Sequence, residues 1–497
     1  MSIFNKIKEE ANKNPEKISI IIDKKKLMYK ELVLEVNLVS NYLSSLKIKP
    51  NEKIGIVENN TLEFILIYLA ASNIGAQIAP LNTNYTSEMI YQNFLNLKIK
   101  HLFIWHQYLK YTKIKKMNLK NIVTLGKKIK KFKYFNDYKK KIKYIKNYGN
   151  YLNNEFVITL TSGSTSDPKP IVLTQKTKLL RSFAAKKLYK IDNNDVVLTS
   201  SPLDHSLGQR LFLLPLLRGA TSVVLNTFTI YNFYEAIKKH KITFAILVAN
   251  QIEDLKKNEN EFKKLNLKKG IVSASSKLNN NLKEKLVKSG NRVFEMYGAS
   301  EIGTVTNIKF SRKNKKYKSV GKPCSKAKIK ILSENNKFLP ANTIGEIVCS
   351  TPLKFKKYLG MEKQTKSSFY KNFFKTGDIG YLDKDNYLYY KGRKKNIIKI
   401  SGINVYPEDI EKIIIKNKNI MEISVLGIED KIGKERVIIC VVLKNKKIKK
   451  ETIFDYCYKN LALFQQPYRI FFLNSLPKTS LGKINLFNLK KKIIKKL

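Results

Sequence analysis

Short apolar runs alternate with amphipathic stretches from the start of the chain to about Lys391. The pattern predicts a strand over Lys53 to Val57, a helix over Leu62 to Ile74 and a strand over Ala76 to Pro80. Further strands are expected over Phe156 to Leu160, Asp195 to Ser200, Thr221 to Leu225 and Phe244 to Val248, with helical stretches such as Tyr231 to His240 between them. This alternation implies an α/β fold in which largely parallel sheets are layered with helices. After Gly392 the pattern changes to a shorter unit: a helix near Pro407 to Lys416, strands Ile423 to Ile428 and Val437 to Leu443, then a helix from Thr452. We read residues 1–392 as a large N-terminal domain and residues 393–497 as a small, mobile C-terminal α+β domain. The stretch from Lys110 to Lys146 is heavily basic and poorly periodic, and reads as a surface connection with helical pieces, outside the core.

Composition changes this picture little. At 497 residues and 43% hydrophobic content the chain can bury more than one core. A formal charge of +56 ordinarily points to nucleic acid or an anionic membrane. Only eight of the 95 basic residues are Arg, however, and the chain is crowded with Ile and Asn, so Lys serves as a general solvated residue. No zinc-finger, RRM or KH signature accompanies the charge, and no nucleic-acid partner is expected. One consequence is that each retained Arg carries information. The four cysteines, Cys324, Cys349, Cys440 and Cys457, show no short spacing that suggests a disulfide framework or zinc site, which fits a reducing cytosol. Met1 to Asn14 is charged, and the longest apolar run, near Phe64 to Ala71, is too short to span a bilayer, so a cytoplasmic protein without a transmembrane segment is expected. The terminal Lys-Lys-Leu loosely matches a peroxisomal address and reads as chance in so lysine-rich a chain.

The strongest local chemistry lies in Leu160-Thr-Ser-Gly-Ser-Thr-Ser-Asp-Pro-Lys169. Phosphate oxygens need many short donors converging on one point. The hydroxyls of Thr161, Ser162, Ser164 and Thr165, the backbone around Gly163 and the ammonium of Lys169 can supply them. The Walker spacing is absent, and taken alone such a loop is more often a polar turn.

Other short motifs follow in order: Pro202-Leu-Asp-His205-Ser-Leu-Gly208, Tyr297-Gly-Ala-Ser-Glu301, Gly345-Glu-Ile347, Thr376-Gly-Asp378, Gly392-Arg393 through Gly402, Pro407-Glu408 and Pro477-Lys-Thr-Ser-Leu-Gly-Lys483. Together they resemble the ANL superfamily of adenylate-forming enzymes: acyl- and aryl-CoA synthetases, peptide-synthetase adenylation domains and luciferases. The chain looks most like an acyl-CoA synthetase, and the resemblance covers nearly its whole length. It implies that ATP and a carboxylic acid give an acyl adenylate and pyrophosphate, and that the acyl group then passes to CoA. A carrier-protein phosphopantetheine is the alternative acceptor, and a non-catalytic nucleotide-binding protein that keeps the fold is the alternative from another class.

The resemblance also implies roles. Thr161 to Lys169 would hold the β and γ phosphates, and Glu301 would help bind magnesium, a hard cation suited to a carboxylate plus phosphate oxygens. Lys483 would bridge the attacking carboxylate and the phosphate, and His205 would orient the acid. Asp378 would accept from the ribose hydroxyls with Arg393 assisting. Tyr297 would stack on adenine, with Gly298 permitting close approach, Ser300 near the phosphate and Ala274, Ser275 and Ser276 across the base. Lys395 falls at the family's hinge, and Gly402 would lie by the thiol tunnel, where a side chain would obstruct.

Three positions depart from the family pattern. Ser166 and Pro170 stand where glycines are usual in the phosphate loop, and Leu486 replaces a common basic residue. The residues expected near the acid, Asp204, Gln209, Arg210, Asn250 and Gln251, are unusually polar, which points to a small or functionalised acid carrying a second polar group.

Overall fold

The computed structural model describes all residues except 1, 112–116, 141–148, 161–168, 277, 312, 315, 401, 431–432, 446–447, 480–481 and 497. Two large sheets carry the N-terminal domain. The first has eight strands in the order Lys357–Tyr358, Pro170–Thr174, Glu155–Leu160, Gln77–Leu81, Lys53–Val57, His101–Trp105, Asn121–Leu125 and Lys133–Tyr134. All neighbours are parallel except the two pairs made by Pro170–Thr174. The second has nine strands, with a parallel centre formed by Val293–Ala299, Gly270–Ala274, Phe244–Val248, Val196–Thr199, Thr221–Val224 and Ile18–Ile22.

The helix Leu62–Ile74 shows why the sheets stay together. Thr61 caps its N-terminus by accepting from Phe64 N, and Gly75 ends it at φ +76, the left-handed conformation that glycine adopts freely. Every residue from Phe64 to Ile74 is buried, so the helix is apolar on all sides and needs partners on all sides. Tyr68 meets Phe156 of the eight-stranded sheet edge-on at 4.8 Å, and Phe212 of the helix Ser206–Leu216 at 5.2 Å.

One expectation is corrected here. The region from Lys110 to Lys146 is not merely a surface connection: Asn121–Leu125 is a parallel strand with Val123 and Leu125 buried, and Phe135 and Tyr138 join the same core. The lysines around them are a solvated edge that hides a short apolar strand. A third sheet of five antiparallel strands, including Lys328–Leu332, Gly345–Ser350, Phe373–Leu382 and Leu388–Arg393, stands beside the two largely parallel ones.

The chain leaves that third sheet through the turn Lys394–Asn396 and enters a smaller C-terminal domain. There Ile420–Glu429 and Glu435–Leu443 pair antiparallel, and Arg469–Phe472 adds in parallel. Alternate residues serve opposite faces. Val425, Ile439 and Val441 pack with Ile410, Ile414 and Ile453, whereas Leu426, Ile438 and Cys440 pack with Leu489 and Ile493 of the last helix. Among the described residues no helix is long and apolar enough to cross a membrane.

Candidate active site

The parallel strands of the nine-stranded sheet end on one side, the side where open α/β sheets bind ligands. Val196–Thr199 runs on to Asp204 and His205, Phe244–Val248 to Asn250 and Gln251, and Gly270–Ala274 to Ser275 and Ser276. Ala274 and Val248 are register partners, and Ser276 N donates to Ala274 O at 3.0 Å. Ser275 is held at φ +74, a conformation rare for serine, so this corner is fixed against local preference.

Tyr297 lies in Val293–Ala299 and donates its hydroxyl to Asp378 Oδ2 at 2.6 Å. Asp378 is 4% exposed, and Arg393 Nε approaches its Oδ1 at 2.9 Å. That guanidinium also donates from Nη1 to Thr376 O at 3.1 Å. Oδ1 receives no aligned N–H or O–H, so a buried acceptor remains unfilled. Burial pushes the Asp378 carboxyl up, while Arg393, the Tyr297 hydroxyl and Lys483 oppose that shift. Burial pulls the Arg393 guanidinium down, but the attraction of Asp378 leaves its pKa raised.

Glu301 follows on the same chain segment. Tyr358 donates to Glu301 Oε1 at 3.0 Å, and Lys169 Nζ sits 5.2 Å from the centroid of the Tyr358 ring, so one tyrosine joins the acid to the lysine. Arg181 holds the backbone beneath them, donating from Nη2 to the carbonyls of Ser300 at 2.9 Å and Leu353 at 2.8 Å. Neither Tyr358 nor Arg181 was singled out from the sequence, although Arg181 is one of the few arginines. Thr161, Ser162, Gly163, Ser164, Thr165 and Ser166 lie outside the described residues. Their flanks, Leu160 and Pro170, are register partners, and Pro170 O accepts from Leu359 N at 2.9 Å.

The small domain reaches this site through a tight turn. Thr479 N donates to Lys483 O at 2.7 Å, Gly482 N donates to Thr479 O at 2.8 Å, and Gly482 takes φ +74. Asn250 donates its side-chain amide to Gly482 O across the domains. Lys483 is exposed to solvent but recessed in the cleft, and the surrounding protein and Arg393 lower its pKa against the pull of Asp378. Lys395 lies in the connecting turn, where burial, Arg393 and Lys169 lower its pKa.

The remaining candidates divide. His205 stands at the N-cap position of the helix Ser206–Leu216, with Nε2 3.7 Å from Asp204 Oδ2, and Asp204 accepts from Asn82 at 2.7 Å. Gln251 closes the N-terminus of its own helix by accepting from Val248 N at 3.1 Å. Gln209 is fully buried, accepting from Lys178 Nζ at 2.8 Å and donating to Leu203 O at 3.0 Å, so its amide is spent inside the fold and offers nothing to an acid. Gly298 is required by its own strand: a Cβ there would lie 1.9 Å from Gly303 O, which is a close approach of backbone to backbone. At Gly402 a Cβ would meet nothing within 4 Å, and the glycine takes a φ of +83.

The profile of the AMP-binding enzyme family matches residues 7–359, and that of the AMP-binding enzyme C-terminal domain matches residues 409–483. The chain belongs to the AMP-binding enzyme family. It is thus one of the adenylate-forming ANL enzymes that its motifs resemble. Among the relatives of this AMP-binding enzyme, an oxalate–CoA ligase of Arabidopsis thaliana is 28% identical, covering 90% of this chain and 89% of its own. The 4-coumarate–CoA ligase 3 of the same plant is also 28% identical, covering 96% and 90%. The fold matches that of o-succinylbenzoate coenzyme A synthetase from Bacillus subtilis, solved with ATP and magnesium ion, at a TM-score of 0.86 and 22% identity over 99% of both chains.

Proposed function

We propose that this enzyme activates a carboxylic acid with ATP and then transfers the acyl group to the thiol of CoA. The observation that carries the reading is the seating of the Gly482–Lys483 turn of the small domain against Asn250 of the large one, with the charges of Asp378 and Arg393 acting on Lys483. A carboxylate is a poor acyl donor. One of its oxygens attacks the α phosphorus, the bond from that phosphorus to the bridging oxygen breaks, and pyrophosphate leaves with its electron pair. The thiol sulfur then attacks the acyl carbon and AMP leaves.

The donor set fits ATP. The unfilled Oδ1 of Asp378 can accept from a ribose hydroxyl, and Lys169, Arg393 and Lys483 would offer positive charge to the negative charge that builds on the phosphates in the reaction. His205, beside Asp204, would orient the acid. Among the described residues no cluster of three or more His, Cys, Asp or Glu could cage a metal. Glu301 as a single carboxylate therefore suits magnesium that shares its coordination with phosphate oxygens. Magnesium so held would neutralise charge on the departing pyrophosphate.

The relatives named as CoA ligases support CoA as the acceptor. The two half-reactions need different geometry, which supports a rotation of the small domain about Lys395 that would bring Gly402 to the thiol. The reading is tested by incubating the protein with ATP, magnesium and a panel of carboxylic acids, trapping adenylates with hydroxylamine, then offering CoA or carrier-protein phosphopantetheine. Acid-dependent hydroxamate and acyl-CoA are expected. Acyl transfer to the carrier protein alone would replace CoA as acceptor, and ATP binding without any hydroxamate would favour a non-catalytic role.

A further inference from the structure

Three basic side chains lie close together beneath the candidate site, and none forms an ion pair among the described residues. Lys178 and Arg181 come from the helix Gln175–Tyr189, and Arg210 from Ser206–Leu216. Elsewhere Arg218, Arg393 and Arg436 each reach a carboxylate. A buried charge without a counter-ion is costly, so each of the three needs an explanation.

Two are explained within the fold. Arg181 donates to the carbonyls of Leu353, Ser300 and Glu301 and to Ser206 Oγ, and so anchors the Glu301 segment. Lys178 donates to Gln209, and burial together with both guanidiniums holds its amine well below the usual lysine range.

Arg210 is the remaining one. Its Nη1 donates to Thr304 Oγ1 at 2.7 Å and lies 3.9 Å from Met296 Sδ, while its buried Nε donates to nothing. Both neighbours belong to the strand pair that carries the site: Met296 precedes Tyr297, and Thr304 is the register partner of Gly298. His205 stands at the N-cap position of the helix of Arg210, five positions earlier, about 7.5 Å along the axis at 1.5 Å per residue. Thr304 and Met296 thus hold a guanidinium with an unfilled donor beside the strand pair that carries Tyr297, about one and a half helical turns from His205. Met296, a flexible thioether, can shift to admit a small acid.

Building on the adenylation reading, we infer that the acid carries a second carboxylate, and that Arg210 binds this distal group while the first carboxylate reacts. A guanidinium offers two parallel donors to a carboxylate, and a neutral isostere of that group would leave Arg210 buried and unpaired. Arg210 is thus a specificity residue with no part in the bond changes.

The test is equilibrium binding by calorimetry, with AMP present, of straight-chain and aromatic dicarboxylates, each set against its monoamide. Wild type is expected to prefer a dicarboxylate over its monoamide. Arg210→Met is expected to reduce that preference by roughly ten- to a hundredfold, the range for a hydrogen bond to a charged group. Arg210→Lys should restore part of it. Thermal melting of Arg210→Met is expected at or above the wild-type temperature, since the change removes a buried unpaired charge. Absence of any wild-type preference for the second carboxylate, or an unchanged preference in Arg210→Met, overturns the inference. Binding does not require turnover, so failure of adenylation shows separately, as missing pyrophosphate release.

Discussion

Asp378 and Arg393 face each other across an antiparallel ladder, one on Phe373–Leu382 and the other at the end of Leu388–Arg393, with Nε 2.9 Å from Oδ1. Backbone register brings the two together before either side chain selects a rotamer. The same arginine is the last residue before the turn into the small domain. A nucleotide held by this pair would therefore sit at the origin of any movement of that domain.

Asp378→Asn removes the charge that Arg393 answers and weakens the acceptor for the ribose. AMP affinity is expected to fall by roughly ten- to a hundredfold, from about 1.5–3 kcal/mol for a hydrogen bond involving a charged group. Calorimetric titration of AMP checks this, and unchanged affinity would place the ribose elsewhere.

Tyr358→Phe deletes one hydroxyl and leaves the ring beneath Lys169. Glu301 then loses its partner at 3.0 Å, and the magnesium concentration for half-maximal activity should rise about three- to tenfold, matching about 0.5–1.5 kcal/mol for one hydrogen bond. A magnesium titration of pyrophosphate release reads the shift.

Glu58 gives a pH-dependent stability. Burial, followed by Asn59 N and Glu63 acting in opposite senses, raises its carboxyl to about 8, and its Oε2 is buried without a partner. Between the ordinary carboxylate range and pH 8 the unfolded chain has lost this proton while the native protein keeps it, so stability falls as pH rises through that window. Glu58→Gln should flatten the fall by a few kcal/mol, since each tenfold difference in proton affinity between the folded and unfolded chain corresponds to about 1.4 kcal/mol. Denaturant unfolding of both proteins at pH 5 and pH 8 measures it.

Much of this was legible in the sequence where local pattern and fold agree. The helix Leu62–Ile74 and the strands Lys53–Val57 and Phe244–Val248 carry unbroken apolar faces and emerge as expected. Asn121–Leu125 was obscured because its apolar residues are few and lysines flank them. In Lys328–Leu332 solvated lysines alternate with buried isoleucines, so the strand reads as another basic stretch. Tyr358 lies in a strand of two residues, and its link between Lys169 and Glu301 exists only in three dimensions. Lys178 is indistinguishable in sequence from its many solvated counterparts, and only burial sets it apart.

The pKa of Lys483 supplies a kinetic signature. In the proposed adenylation its protonated form would stabilise charge at the α phosphorus, and the surrounding protein and Arg393 lower its pKa. Adenylation should therefore decline on the alkaline side below the ordinary lysine value, and the residual rate of Lys483→Ala should lack that limb.

The most direct test of the central claim is single-turnover kinetics of each half-reaction in wild type and Lys483→Ala. Acid-dependent pyrophosphate release is expected to fall at least about a hundredfold in the variant, the scale for losing one preorganised group that stabilises developing charge. Acyl transfer to CoA from supplied acyl adenylate is expected to persist. Pyrophosphate release that is indifferent to Lys483→Ala would contradict the account.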